Sequence, residues 1–214
     1  MKVCCCVVKR NESISVRTLH TILRITDVSR ILNTQLSIEY INETQDDVSC
    51  MLKKIIKTND RIIWLGYGVG VTDDVREVDV LMAPYPKGYH GSILPCAREG
   101  IDWDAFITKM KSDGKEPPKY AGLHYDTDVT KTKISDDVYA VNSVHDPKLW
   151  SIDCAQFLKK MKGKKGEGIT VPKRDLVNAV IKSGIKMCAY VSVRTTITYA
   201  HECVGSIIET AANR

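Results

Sequence analysis

The apolar positions of this chain alternate between short unbroken runs and helical stripes. Val3 to Val8 and Ile62 to Leu65 contain no polar residue. A central strand of a parallel sheet is covered on both faces and has no solvent side, so both runs predict central strands. Leu36 to Ile41 predicts another strand between them. The gaps are filled at helical spacing. Val16, Leu19, Ile22 and Leu23 form one stripe, with Ser13 as the expected cap. Val48, Met51, Leu52, Ile55 and Ile56 form a second. It opens on Asp46-Asp47 and ends among Lys53, Lys54 and Lys57, the arrangement a helix dipole favours. Strand, helix, strand, helix, strand is the pattern of a doubly wound sheet. The expected fold class is therefore α/β: a mainly parallel central sheet flanked by helices, Rossmann-related, in a single compact domain.

The rest of the chain is less regular. Val71 to Arg76 reads as one helical turn. Glu77 to Pro84 predicts a fourth strand, stopped by Pro84 and Pro86. Tyr85 to Gly100 is a Gly-, Pro- and Tyr-rich loop, long enough to be functional. A short helix is expected over Trp103 to Lys111, and less regular β segments over Lys119 to Val129 and Asp137 to Trp150. A helix over Asp153 to Met161 follows, and then one opened by Pro172 and closed by Gly184. Ile185 to Val193 is a late strand, continued by an extended stretch to Ala200. Residues 1–84 read as a nucleotide-binding half and residues 85–214 as an acceptor and metal half. The helical pattern at Glu209 to Arg214 is consistent with the N-terminal part of a longer protein.

Composition acts mainly by exclusion. At 214 residues there is room for one sizeable core. No run of about 18 apolar residues occurs, so no membrane span is expected. The apolar start ends at Lys9-Arg10 with no small-residue cleavage site behind it, so it reads as a strand and not as a signal peptide. Of the eight cysteines, Cys4, Cys5 and Cys6 share one apolar strand and Cys50, Cys154 and Cys188 fall on apolar positions of periodic segments; with no CxxC pair present, this fits buried, reduced thiols in a cytoplasmic protein. The net charge of +5 is modest. The basic cluster Lys159 to Gly166 is either a solvated helix end or a loop for a polyanion, and it lacks the aromatic interleaving of a nucleic-acid surface.

Candidate chemistry gathers at the carboxyl ends of the first three strands, where open α/β sheets bind ligands. After the first strand comes Val8-Lys9-Arg10-Asn11-Glu12. After the second comes Asn42-Glu43. After the third comes Gly66-Tyr67-Gly68-Val69-Gly70, which exposes bare backbone. Cationic side chains and free amides suit a diphosphate. Neither GxGxxG nor GxxxxGK[ST] follows any strand, which argues against a dinucleotide oxidoreductase and a P-loop enzyme.

These residues resemble the nucleotide-sugar domain of the GT-A glycosyltransferases. Val7-Val8-Lys9-Arg10-Asn11-Glu12 is similar to the strand-then-R-N-E opening of that superfamily. Ile62-Ile63-Trp64-Leu65 and Val80-Leu81-Met82-Ala83-Pro84 resemble the strand pair around its metal motif. Lys173-Arg174-Asp175-Leu176 through Ser183-Gly184-Ile185 resembles the helix after its acceptor region. Within the superfamily the likeness points to the small chlorella-virus glycosyltransferase domains involved in capsid glycan synthesis. The resemblance implies a UDP-sugar donor, a glycan or glycoprotein acceptor, and manganese or magnesium bridging the diphosphate to protein carboxylates. Val8, Lys9, Arg10, Asn11, Glu12, Asn42, Gly66, Tyr67 and Gly68 are the implied donor-binding residues, and His201 stands where members carry a late metal-ligating histidine.

One departure is plain: Gly66-Tyr67-Gly68 replaces the expected Asp-x-Asp. The nearest substitute is Glu77-Val78-Asp79, which gives Glu77 and Asp79 as expected metal ligands with His201. Asp126-Thr127-Asp128 competes, while Asp102-Trp103-Asp104 reads as a helix cap. A general base is expected at Asp175, with Asp137 second. Tyr85, Tyr89 and His90 are expected on the acceptor side. Two other functions keep the fold: a non-catalytic nucleotide- or glycan-binding module with a decayed metal motif, and a nucleotidyltransferase. The second is weakened by the absence of glycine from Val8 to Glu12.

Overall fold

The computed structural model describes residues 1–10, 12–42, 45–71, 76–98, 102–111, 122–161, 171, 175–193 and 195–196. Strand β1 (Lys2–Lys9) leads to helix α1 (Val16–Ile31), then β2 (Gln35–Asn42), α2 (Gln45–Thr58) and β3 (Arg61–Leu65). Both β2 and β3 pair with β1 in parallel, as the alternating pattern predicts. The buried run Val3 to Val8 is the apolar centre of this half. Its odd positions meet α1 on one face, and Cys4 and Cys6 meet α2 on the other.

Helix α1 forms where expected, but it turns a different face inward. Its cap is Ser15, whose hydroxyl accepts from the Thr18 amide at 3.1 Å. Ser13 instead closes the polar corner, its hydroxyl donating to the Arg10 carbonyl. The buried side is Thr18, Thr21, Ile22, Ile25, Val28 and Ser29. Val16 and Leu23, expected inside, are 71% and 55% exposed. The small threonines let the helix approach closely enough to bond the next loop. Thr18 donates to the Val69 carbonyl, and Thr21 accepts from the Val71 amide.

The remaining elements are β4 (Gly70–Val71), α3 (Arg76–Met82), β5 (Gly91–Ile93), α4 (Trp103–Lys111), β6 (Thr127–Ser135), β7 (Val138–Val144), β8 (Leu149–Asp153), α5 (Cys154–Lys160), α6 (Leu176–Lys182), β9 (Met187–Tyr190) and β10 (Thr195–Thr196). The eight-stranded sheet has the order β2-β1-β3-β8-β5-β9-β7-β6. It is mixed and not mainly parallel, which corrects the expectation. Strand β8 enters antiparallel between β3 and β5, while β7 pairs antiparallel with β9 and β6. Strands β6 and β7 are joined only by Asp136 and Asp137, too few residues for the helical crossover that a parallel pair would need, and β8 runs in the same sense as β7, opposite to β3 and β5.

A second correction concerns Glu77 to Pro84. This segment is helix α3, packed against α1, and not a fourth strand. Val78, Leu81 and Met82 recur at helical spacing and are buried. Arg61, itself buried, donates to the Leu81 and Ala83 carbonyls and ties the end of α3 to the start of β3. Helices α1 and α3 cover one face of the sheet, and α2, α5 and α6 the other. Five of the cysteines assigned to the interior, Cys4, Cys5, Cys6, Cys154 and Cys188, are buried free thiols; Cys50 is exposed, contrary to its apolar reading. No helix among the described residues is long and apolar enough to cross a membrane.

Candidate functional site

A cleft of about 390 Å³ opens at the carboxyl ends of β1 and β3, on the α2 and α6 face of the sheet. Val8, Trp64, Gly66 and Tyr67 line it from those strand ends. Asp146, Pro147, Lys148 and Trp150 line it from the turn into β8, and Asp175 to Asn178 from the start of α6. Parallel strands deliver the first group, as the sheet logic requires. The antiparallel insertion of β8 delivers the second, because its preceding turn arrives at the same end of the sheet.

The wall is built from few elements. Trp64 and Trp150 are cross-strand partners whose rings stack 5.6 Å apart at 8°, with Trp150 buried and Trp64 half-buried. The Arg10 guanidinium lies 4.7 Å from the centre of the Tyr67 ring, so the first and third loops meet as predicted. Lys9 pairs with Glu12 beside them. Lys148 is held by its backbone on both sides. Its carbonyl accepts from the Gly66 amide at 2.7 Å, and its own amide donates to Asp126 at 3.1 Å. Its ammonium donates to Asp146 at 2.5 Å.

Asp126 is 1% exposed and is a structural anchor. Its carboxylate also accepts from the Cys96 amide and the Thr127 hydroxyl. Burial pushes its pKa up to about 6, against those hydrogen bonds. Four described non-glycine residues have positive φ, and two of them, Asp146 at 52° and Asp175 at 50°, line the cleft. Aspartate tolerates this conformation better than most residues, and such strain gathers at functional sites. Asp175 precedes α6, makes no side-chain cap bond and lines the cleft.

The expected residues therefore divide. Val8, Gly66, Tyr67 and Asp175 line the cleft, and Arg10 reaches it through Tyr67. Lys9, Glu12 and Asn42 lie at the same strand ends without lining it. Asp137 sits in the β6–β7 turn, bonded to Ser192, and does not line it. Asp79 is exposed on α3, which covers the opposite face of the sheet. On a helix, positions 77 and 79 diverge by about 200°, so the shared face that a strand would have supplied is gone. Asn11, His201 and the Glu77 side chain lie outside the described residues, as do residues 162–166 of the basic cluster and the start of the Pro172 helix.

Other acids are spent elsewhere. Asp102 caps α4 through the Ala105 amide and accepts from or pairs with His124, which together hold its pKa below the usual carboxylate range. Asp128 accepts from the Ser143 hydroxyl. The Tyr85 to His90 loop precedes β5 at the amino end of β3, so it does not reach this cleft. Tyr85 instead lies on Arg61 and bonds Ser151, and burial raises its pKa. Sequence reasoning missed Lys148, Asp146 and Trp150. The Asp146-Pro147 dipeptide between two apolar runs was the available turn signal.

The fit of a divalent cation can be tested on the backbone. A Cβ on Gly66 would lie 3.0 Å from the Lys148 carbonyl oxygen and 3.1 Å from its Cβ and Cδ. Gly68 has a φ of 74°, which a side chain rarely adopts. The first position of the expected Asp-x-Asp thus resists aspartate on steric grounds, and the second holds a left-handed backbone. Among the described residues no three His, Cys, Asp or Glu side chains gather as metal ligands. The described residues do not fit the implied cation at this place, and no step below is routed through one.

No family model matches the chain, and no curated protein matches it in sequence. Several chains of solved structures are similar in overall path. One is the catalytic domain of Drosophila beta1,4-galactosyltransferase 7, in complex with xylobiose. The TM-score is 0.44 at 10% identity, over 88% of this chain and 64% of that one. A likeness this distant decides neither donor nor acceptor.

Proposed function

We propose that the chain transfers a hexose or deoxyhexose from a UDP-sugar to a glycan acceptor. The observation that carries this reading is the convergence, in one cleft, of the first and third strand ends with the stacked Trp64–Trp150 pair, Tyr67 and Asp175. The half-buried Trp64 ring, braced by Trp150, suits a base or a sugar face. Cationic side chains and backbone amides suit a diphosphate. In an inverting transfer Asp175 takes the proton of the acceptor hydroxyl. That oxygen bonds to the anomeric carbon as the carbon's bond to the diphosphate breaks, and UDP leaves. A cytoplasmic location and kinship with the small viral capsid-glycan enzymes belong to the same reading, supported by the reduced cysteines and the short motifs of the first half.

A second reading keeps binding and drops catalysis. Gly66-Tyr67-Gly68 in place of Asp-x-Asp favours it. Thermal melting with UDP, GDP, CMP and ADP, each with and without manganese, and slow hydrolysis of UDP-hexose without acceptor separate the two. The enzyme reading expects selective stabilisation by UDP, with hydrolysis that Asp175→Asn lowers by about 10²-fold or more while UDP binding is kept. Binding without hydrolysis selects the module. No shift with any nucleotide removes both.

A further inference from the structure

We propose that Lys148 takes the charge role that the resemblance assigns to a divalent cation, so that this cleft holds a nucleoside diphosphate without metal. The proposal rests on the nucleotide-sugar reading of the cleft. Its basis is where the lysine lies. The Lys148 Cβ and Cδ are each 3.1 Å from the point where a Gly66 Cβ would stand. The lysine stem therefore crosses the place from which the first metal-binding aspartate would project. Carboxylate and metal are replaced together by one side chain that carries its own charge.

The placement is built and not incidental. The Lys148 backbone is clamped between the Gly66 amide and the buried Asp126 carboxylate. Its side chain is only 28% exposed, and its ammonium is paired with Asp146, which lines the cleft with it. Its present partner, Asp146, is 82% exposed. An ion pair this open to water contributes little, and a diphosphate can exchange for the aspartate at small cost. One ammonium supplies half the charge of a divalent ion. Arg10, on the Tyr67 ring at the cleft wall, supplies a second unit charge. Two fixed cations can balance the charge that develops on a leaving diphosphate, as preorganised charges do elsewhere.

The test measures UDP and UMP binding by tryptophan fluorescence and calorimetry, in EDTA and in manganese, for the wild-type chain, Lys148→Met and Lys148→Arg. Methionine keeps the stem and removes the charge; circular dichroism checks that it folds. The expected result is UDP binding in EDTA that manganese changes less than about twofold. Lys148→Met should weaken UDP by about tenfold or more while UMP changes far less, and Lys148→Arg should restore most of the loss. UDP binding that needs manganese, or that is unchanged in Lys148→Met, overturns the proposal and leaves the sugar-transfer reading standing. The wild-type manganese comparison decides this even if the variant fails to fold. No UDP binding in either buffer removes the sugar-transfer reading, and this proposal with it.

Discussion

At the scale of the residue, Asp126 shows how a buried group can serve a site it does not line. Its carboxylate holds the Lys148 and Cys96 amides and so fixes the turn that forms one wall of the cleft. Burial raises its pKa from 3.8 to about 6. Between those values the folded chain holds a proton that the unfolded chain has released. The stability linked to this proton is fully present below about pH 4 and is lost as pH rises through about 6. Urea denaturation of wild type and Asp126→Asn should therefore show a wild-type advantage that is larger near pH 4 than near pH 7. A difference independent of pH would mean the carboxyl titrates normally. Gly66 shows the converse: nothing in its identity says which neighbour forbids a side chain, and the neighbour is Lys148, 82 positions away.

At the scale of the element, α1 separates two properties that a sequence pattern merges. The helix is legible because apolar residues recur at helical spacing and a serine precedes it. Which face is buried depends on what it packs against. Val16, Leu19, Ile22 and Leu23 make a plausible stripe, yet the loop after β3 selects Thr18 and Thr21, whose hydroxyls bond its backbone. The cap shows the same division. Ser15→Ala should cost about 1 kcal/mol in urea stability, the usual loss for a capping serine. Ser13→Ala should cost less than half of that, since its bond closes only an exposed corner. The reverse order would return the cap to Ser13. Helix α3 was missed for a related reason. Glu77-Val78-Asp79-Val80 alternates like a strand, while Val78, Leu81 and Met82 fit a helix equally well in so short a segment.

At the scale of the whole molecule, β1 is the keystone of the core. It lies between β2 and β3, and its cysteines face both helical layers. Burial pushes the Cys5, Cys154 and Cys188 thiols up to about 12, so little thiolate exists while the chain is folded. Thiol labelling followed by peptide mapping should modify the exposed Cys50 in native buffer. Cys5 and Cys188 should label only along the global urea transition, with the same midpoint as circular dichroism. Native labelling of Cys5 at the rate of Cys50 would contradict the central place of β1.

The sequence by itself determined the parallel half. Unbroken apolar runs, two helical stripes and the short polar corners after each strand point to one arrangement, in which Val8, Gly66 and Tyr67 meet at the carboxyl ends. These are local signals, and a βαβ unit carries them in continuous stretches of chain. Only the tertiary structure decided the other wall. Placing β8 antiparallel beside β3 is a choice between distant segments, and it alone brings Asp146, Lys148 and Trp150 to Gly66, Tyr67 and Trp64. The pairing of Trp64 with Trp150 and the bond from the Gly66 amide to the Lys148 carbonyl are contacts across more than 80 residues, set by burial and hydrogen bonding that no local pattern encodes.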